Sequence, residues 1–156
     1  ASHEGRPHLI RELSSEDAED RVCSIVRDTV SSMDSDSRAA VISLDGNASK
    51  IANRMRASGV QNVVEVLSLD DVDKLSYSRR SVVVGEWQFL GGTQFSHVIV
   101  VASHGSRANS TFARVRELTA LYVAASRAAR WLCLIIGGDV HPEVQNAVDE
   151  GVLHNG

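Results

Sequence analysis

The feature that most limits what this chain can become is a series of short apolar runs spaced along it. They are "AAVISL" (39–44), "VVEVL" (63–67), "SVVVG" (81–85), "HVIVVA" (97–102) and "WLCLII" (131–136). Each is too short for an ordinary helix, most are rich in β-branched residues, and turn residues bound them, so they read as strands. Several are apolar at successive rather than alternate positions, which requires both faces of the sheet to be covered. Helical segments alternate with them. The pattern predicts a single α/β domain with a mostly parallel sheet of five or six strands between two helical layers.

The helical segments carry their own punctuation. "HLIREL" (8–13) alternates as a strand, and Ser14 followed by Asp17 has capping-box spacing at the start of a helix. Ala18, Val22, Ile25, Val26, Thr29 and Val30 then give one apolar stripe to about Ser32. A second helix follows "DGN", with Ile51, Ala52 and Met55 inward and a stop at Gly59. A third is expected from about Ser110 to Arg130, with Phe112, Val115, Tyr122 and Ala125 on one face. "HPEVQNAVDEGV" reads as a short last helix with Pro142 in its first turn.

Composition narrows the function classes. A net charge of −4 argues against a protein held to nucleic acid by bulk charge alone. Cys23 and Cys133 sit in apolar settings and read as buried free thiols of an intracellular protein, cytoplasmic or nuclear. No apolar run approaches the roughly 20 residues of a membrane span, so no membrane partner is expected. Phosphate-loop, dinucleotide and nucleophile-elbow patterns are all absent. The histidines have no ligand spacing, so no metal site is expected in this chain. Residues 1–7 read as a cloning remnant or disordered start.

Two stretches in the second half resemble known motifs. "LYVAASRAARWLCL" (121–134) resembles motif VI of superfamily 1 helicases, LYVAxTRAxxxLxL. "GGTQFSHVIVV" (91–101) resembles motif V of UvrD/Rep-like and RecD-like enzymes, K/Q-G-x-E-F-D-x-V-I-V, and the order and separation of the two also fit. Upstream, "ELSSEDAEDRVCSIVRDTV" resembles the acidic-start helix that opens the second motor domain, and "AAVISLDGNASKIANRMRASGV" resembles motif IV with its helix. The likeness covers residues 8–156 and implies one RecA-like three-layer αβα domain, the second motor domain (2A) of a UvrD-like helicase.

What the resemblance implies is a shared ATP site. ATP and Mg2+ would bind only in the intact parent, between this domain and a first RecA-like motor domain carrying the phosphate loop, and this chain alone would bind neither. Arg127, the arginine of "SRA", would be the catalytic finger toward the γ-phosphate, with Arg130 beside it on the same helical side. Gly92 would permit close backbone approach, Gln94 would meet the nucleotide, Phe95 would pack beneath the loop, and Val98 and Ile99 would begin a buried strand. Ser103, His104 and Gly105, at the C-terminal edge of that strand, are the place to seek a nucleic-acid phosphate contact. The partner strand would be single-stranded nucleic acid, DNA in preference to RNA.

The match has departures. Gly91, Gln94 and Ser96 replace the basic or amide residue, the glutamate and the aspartate of motif V, and Asp45 falls near where motif IV carries arginine. Between "VVEVL" and "SVVVG" only "SLDDVDKLSYSRR" intervenes, with no room for the large 2B insertion of UvrD and Rep. These departures sustain an alternative: a degenerate, non-catalytic helicase-derived module that binds protein or nucleic acid. A generic flavodoxin-like domain is a third reading, but it leaves the motif VI string unexplained.

Overall fold

The computed structural model describes residues 7–34, 37–71, 81–90, 92–106, 110–139, 141–151 and 154–155. Its elements are β1 (His8–Glu12), α1 (Ser15–Ser32), β2 (Ala39–Ser43), α2 (Ala48–Ala57), β3 (Val63–Val66) and β4 (Val82–Glu86). After a 3-10 turn at Trp87–Phe89 come β5 (Phe95–Ala102), α3 (Thr111–Ala125), β6 (Ala128–Gly137), α4 (Pro142–Asp149) and β7 (His154–Asn155). One sheet runs in the order β3-β4-β2-β5-β6-β1-β7, and every pairing is parallel. Six strands are full length, and the two-residue β7 adds a seventh at the edge.

The apolar runs lie where two-sided burial demands. All five residues of β2 are buried. Ala40 and Ile42 pack on the face covered by Leu121 and Ala124 of α3 and Val144 of α4. Val41 points the other way, with Val84, Ile99 and Ile135, against Val22 and Val26 of α1 and Ile51, Ala52 and Met55 of α2. Each such aliphatic side chain contributes about 1.5–3 kcal/mol on leaving water.

Local chemistry sets most helix ends. The Ser14 hydroxyl accepts from the Asp17 amide at 3.1 Å to start α1. Ser110 does the same for Ala113 at 3.1 Å in α3. Gly59 follows α2 with φ +94°, the left-handed conformation glycine adopts without strain. Pro142 is the first residue of α4, where its missing N–H costs nothing.

Helix α3 departs from the sequence expectation twice. Its alanine-rich tail favours helix to Arg130, yet α3 stops at Ala125 because Ala128 pairs with Phe95 and the chain joins the sheet. Arg130 therefore stands on β6 rather than on a helical side shared with Arg127. Nor does the predicted apolar face turn inward: Phe112, Val115 and Tyr122 are 79%, 58% and 75% exposed, and α3 packs through Ala120, Leu121 and Ala124. Strand β5 also begins three residues before Val98, at Phe95.

Candidate functional site

The motif-like residues fall at opposite edges of the sheet. Arg127 lies at the N-terminal edge, in the tight turn from α3 into β6. The Phe95 amide donates to the Arg127 carbonyl at 2.8 Å, so main chain joins the arginine turn to the residue after Gln94. The guanidinium is half-buried along the end of its own helix. Its Nε donates to the Val123 carbonyl at 3.3 Å and Nη2 to the Ser126 hydroxyl at 3.1 Å.

Gly92 and Gln94 are exposed beside this turn, while Gly91 lies outside the described residues. A Cβ at Gly92 would meet nothing within 4 Å, so the packing of this domain does not require glycine there. Phe95 is buried beneath the loop, with the Arg38 guanidinium 5.5 Å from its ring centroid. Ser96, in the place of the motif V aspartate, donates its hydroxyl to the Arg38 carbonyl at 2.8 Å and its amide to the same oxygen at 3.1 Å. It ties β5 to the segment entering β2. Arg130 is exposed on β6 and reaches Asp34 Oδ2 at 4.0 Å, a surface pair of little energetic weight.

Ser103, His104 and Gly105 follow β5 at the C-terminal edge, where sequence reasoning placed them. The amide donors that would receive a phosphate are engaged within the domain. His104 N–H bonds Asp45 Oδ2 at 2.9 Å, Gly105 N–H the Ala102 carbonyl at 3.0 Å, and Ser106 N–H the Asp139 carbonyl at 2.6 Å. The N-terminus of α2 is filled too: Glu86 accepts from Gly46 N–H at 2.8 Å and Ala48 N–H at 2.9 Å. Asp45 therefore organises the loop that follows β5.

Beside this loop is a cavity of about 70 Å³, lined by Asp45, Glu117, Asp139 and His141 together with aliphatic side chains. The Ser106 hydroxyl donates to Glu117 at 2.8 Å. The His141 ring is buried; its Nδ1 accepts from Glu143 N–H at 3.1 Å while Nε2 donates to the Arg114 carbonyl at 3.1 Å. Carboxylates at such a mouth repel an anion. The Ser103 hydroxyl is buried nearby without a hydrogen-bond partner among the described residues.

Sequence reasoning missed one buried charge. Glu19 of α1 is fully buried, with Arg54 Nη1 at 3.1 Å and Lys50 Nζ at 3.7 Å. Its partners lie on α2, and no local spacing reveals them. The cysteines are free and buried, as expected. Burial pushes the Cys133 thiol up to about 12, and burial also raises Cys23, so neither is a ready nucleophile. Among the described residues no group of His, Cys, Asp and Glu is arranged to hold a metal ion, and no helix is long and apolar enough to cross a membrane.

No family model matches the chain, and no curated protein matches it. Solved structures do. The chain is similar to the C-terminal domain of a possible DNA helicase from Lactobacillus plantarum WCFS1, with TM-score 0.71 and 19% identity over 97% of this chain and 85% of that one. It is also similar to T4 UvsW, with TM-score 0.54 and 12% identity over 97% of this chain and 41% of that one. A third likeness is to the C-terminal domain of the DEAD-box protein Dbp5, with TM-score 0.50 and 12% identity over 96% and 89%. The chain has the RecA-like fold of helicase C-terminal domains. At these identities the likeness establishes fold.

Proposed function

We propose that this domain is the second motor domain of an ATP-dependent helicase of UvrD/Rep-like type, working with a first RecA-like domain that holds the phosphate loop. The observation that carries the proposal is the juxtaposition at the N-terminal edge: one hydrogen bond, Phe95 N–H to the Arg127 carbonyl, joins the "SRA" turn to the "GGTQF" loop. Two motifs distant in sequence thus present an arginine, an open glycine backbone and an amide side chain together.

Bound ATP and Mg2+ would supply the phosphoryl group and its charge-balancing cation. Arg127 would turn from its own helix end toward the γ-phosphate oxygens and neutralise charge that builds there, an effect worth about 10³–10⁵ in rate for arginine fingers. Its bonds to the Val123 carbonyl and the Ser126 hydroxyl, each worth only about 1 kcal/mol net, would be given up in that exchange. Gly92, with open space where a Cβ would stand, fits close approach of the nucleotide to main chain. Gln94 would hydrogen-bond the sugar as a neutral amide. Arg130 would contribute charge from β6. Single-stranded nucleic acid, DNA before RNA, is the proposed track. The satisfied amides and carboxylates around Ser103, His104 and Gly105 weigh against a phosphate contact at that edge.

The test is ATP turnover by the parent carrying Arg127→Ala. Turnover is expected to fall about 10³-fold or more with the fold retained, and Arg127→Lys to restore little, because an ammonium lacks the planar two-donor fork. Normal turnover in Arg127→Ala would remove the finger. A parent that never hydrolyses ATP would favour the non-catalytic module, which the departures at Gly91 and Gln94 and the acidic C-terminal edge support.

A further inference from the structure

On the α1 side of the same N-terminal edge lies an open groove of about 480 Å³. Its aromatic members come from three neighbouring strands: His8 of β1, Trp131 of β6 and His97 of β5. Trp131 stands between the imidazoles, with ring centroids 6.3 Å from His8 and 6.1 Å from His97. The C-terminal half of α1 lines the groove with Ile25, Asp28 and Ser32.

We propose that this groove binds a nucleobase, guanine in preference, stacked against the Trp131–imidazole row with its Watson–Crick edge toward Asp28. The volume is that of a small-molecule site, within the roughly 300–1,000 Å³ typical of ligand pockets. Aromatic side chains offer π-faces on which any base can stack. Polarity selects further. Asp28 is exposed and supplies the one carboxylate among the described residues that line the groove; its carbonyl accepts from the Ser31 hydroxyl at 2.8 Å, while its carboxylate makes no hydrogen bond or ion pair among the described residues. Such a group repels phosphate and accepts N–H donors. Guanine presents two donors side by side, N1–H and the N2 amine, which match the two carboxylate oxygens. Adenine and cytosine pair their amine with a ring nitrogen acceptor that the carboxylate repels.

The base can come from a single strand or from a free nucleoside, and the site rests on the groove rather than on the ATP reading. The experiment uses the full chain with Trp87→Phe, which leaves Trp131 as its sole tryptophan. Its fluorescence is followed while guanosine, adenosine, or a DNA of about 12 alternating guanine and thymine nucleotides is added, a length that spans single-strand sites of this size. Saturable quenching by guanosine is expected, about tenfold tighter than by adenosine, with Asp28→Asn erasing the preference, as loss of a charged hydrogen-bond acceptor predicts. The His8 and His97 ring protons should shift with guanosine in nuclear magnetic resonance spectra. Quenching by DNA at concentrations where guanosine is silent identifies the strand as the source. Equal response to guanosine, with no gain from DNA, identifies the nucleoside. No response to either, or a guanosine preference intact in Asp28→Asn, overturns the proposal and leaves the Arg127 test standing.

Discussion

The two edges of the sheet treat the same residue type in opposite ways. At the C-terminal edge Gly137 is wedged so that a Cβ would fall on the backbone oxygens of Ser103 and Ser14. Gly105 there has φ +71°, and its Cβ would lie 2.6 Å from the Asp139 carbonyl oxygen. At the N-terminal edge Gly92 looks into open space. The contrast extends to polar groups. The C-terminal edge spends its amides and carboxylates on one another, whereas the N-terminal edge exposes Gln94, Arg130 and a half-buried Trp131. This RecA-like domain thus ties up loop amides at the edge where parallel sheets usually bind ligands and leaves an open glycine at the opposite edge.

Substitutions can break or sharpen this contrast. Gly137→Ala is expected to cost about 3 kcal/mol or more, because backbone must move to admit the methyl group; in thermal unfolding this is a Tm loss of about 10 °C. A loss under about 3 °C would mean the C-terminal edge is looser than described. Arg54→Ala, which leaves the buried Glu19 carboxylate with only the longer contact to Lys50, should cost about 3 kcal/mol, read from a urea midpoint, and Glu19→Gln in that background should recover part of it. Arg127→Ala should cost about 2 kcal/mol, the hydrogen bonds to its own helix end being among what is lost. A larger cost would make the residue a strut of the fold. Smallest of all, Gly92→Ala should shift stability by less than about 0.5 kcal/mol in the isolated domain, while lowering ATP turnover in the parent. Unchanged turnover there would deprive the N-terminal edge of its proposed nucleotide contact.

The framework was legible because strands buried on both faces announce themselves locally. β2, β4 and β5 follow from continuous apolar runs, and α1 and α2 from a serine cap and a terminal glycine. What escaped depends on partners remote in sequence. The end of α3 is fixed by pairing of Ala128 with Phe95, against the helical preference of alanine. The exposure of Phe112, Val115 and Tyr122 follows from α3 seating itself by its small residues, and periodicity alone does not say which stripe faces in. The Glu19–Arg54 pair and the His8–Trp131–His97 row are assembled from separate elements, so no spacing encodes them. The proximity of Arg127 to the "GGTQF" loop came within reach only through likeness to helicase motifs.

The sheet order has one more consequence. β1, made first, pairs with β6, made almost last. During synthesis at about 5–20 residues per second, β1 and the α1 helix tethered to it wait on the order of ten seconds for their neighbours. Through that interval the aliphatic stripe of Val22 and Val26 lacks Cys133 and Ile135, the β6 members of the core it belongs to. A nascent chain of this topology is therefore exposed to chaperones and proteases until nearly the whole domain has left the ribosome, and a stop codon anywhere before β6 would release a product unable to close its core.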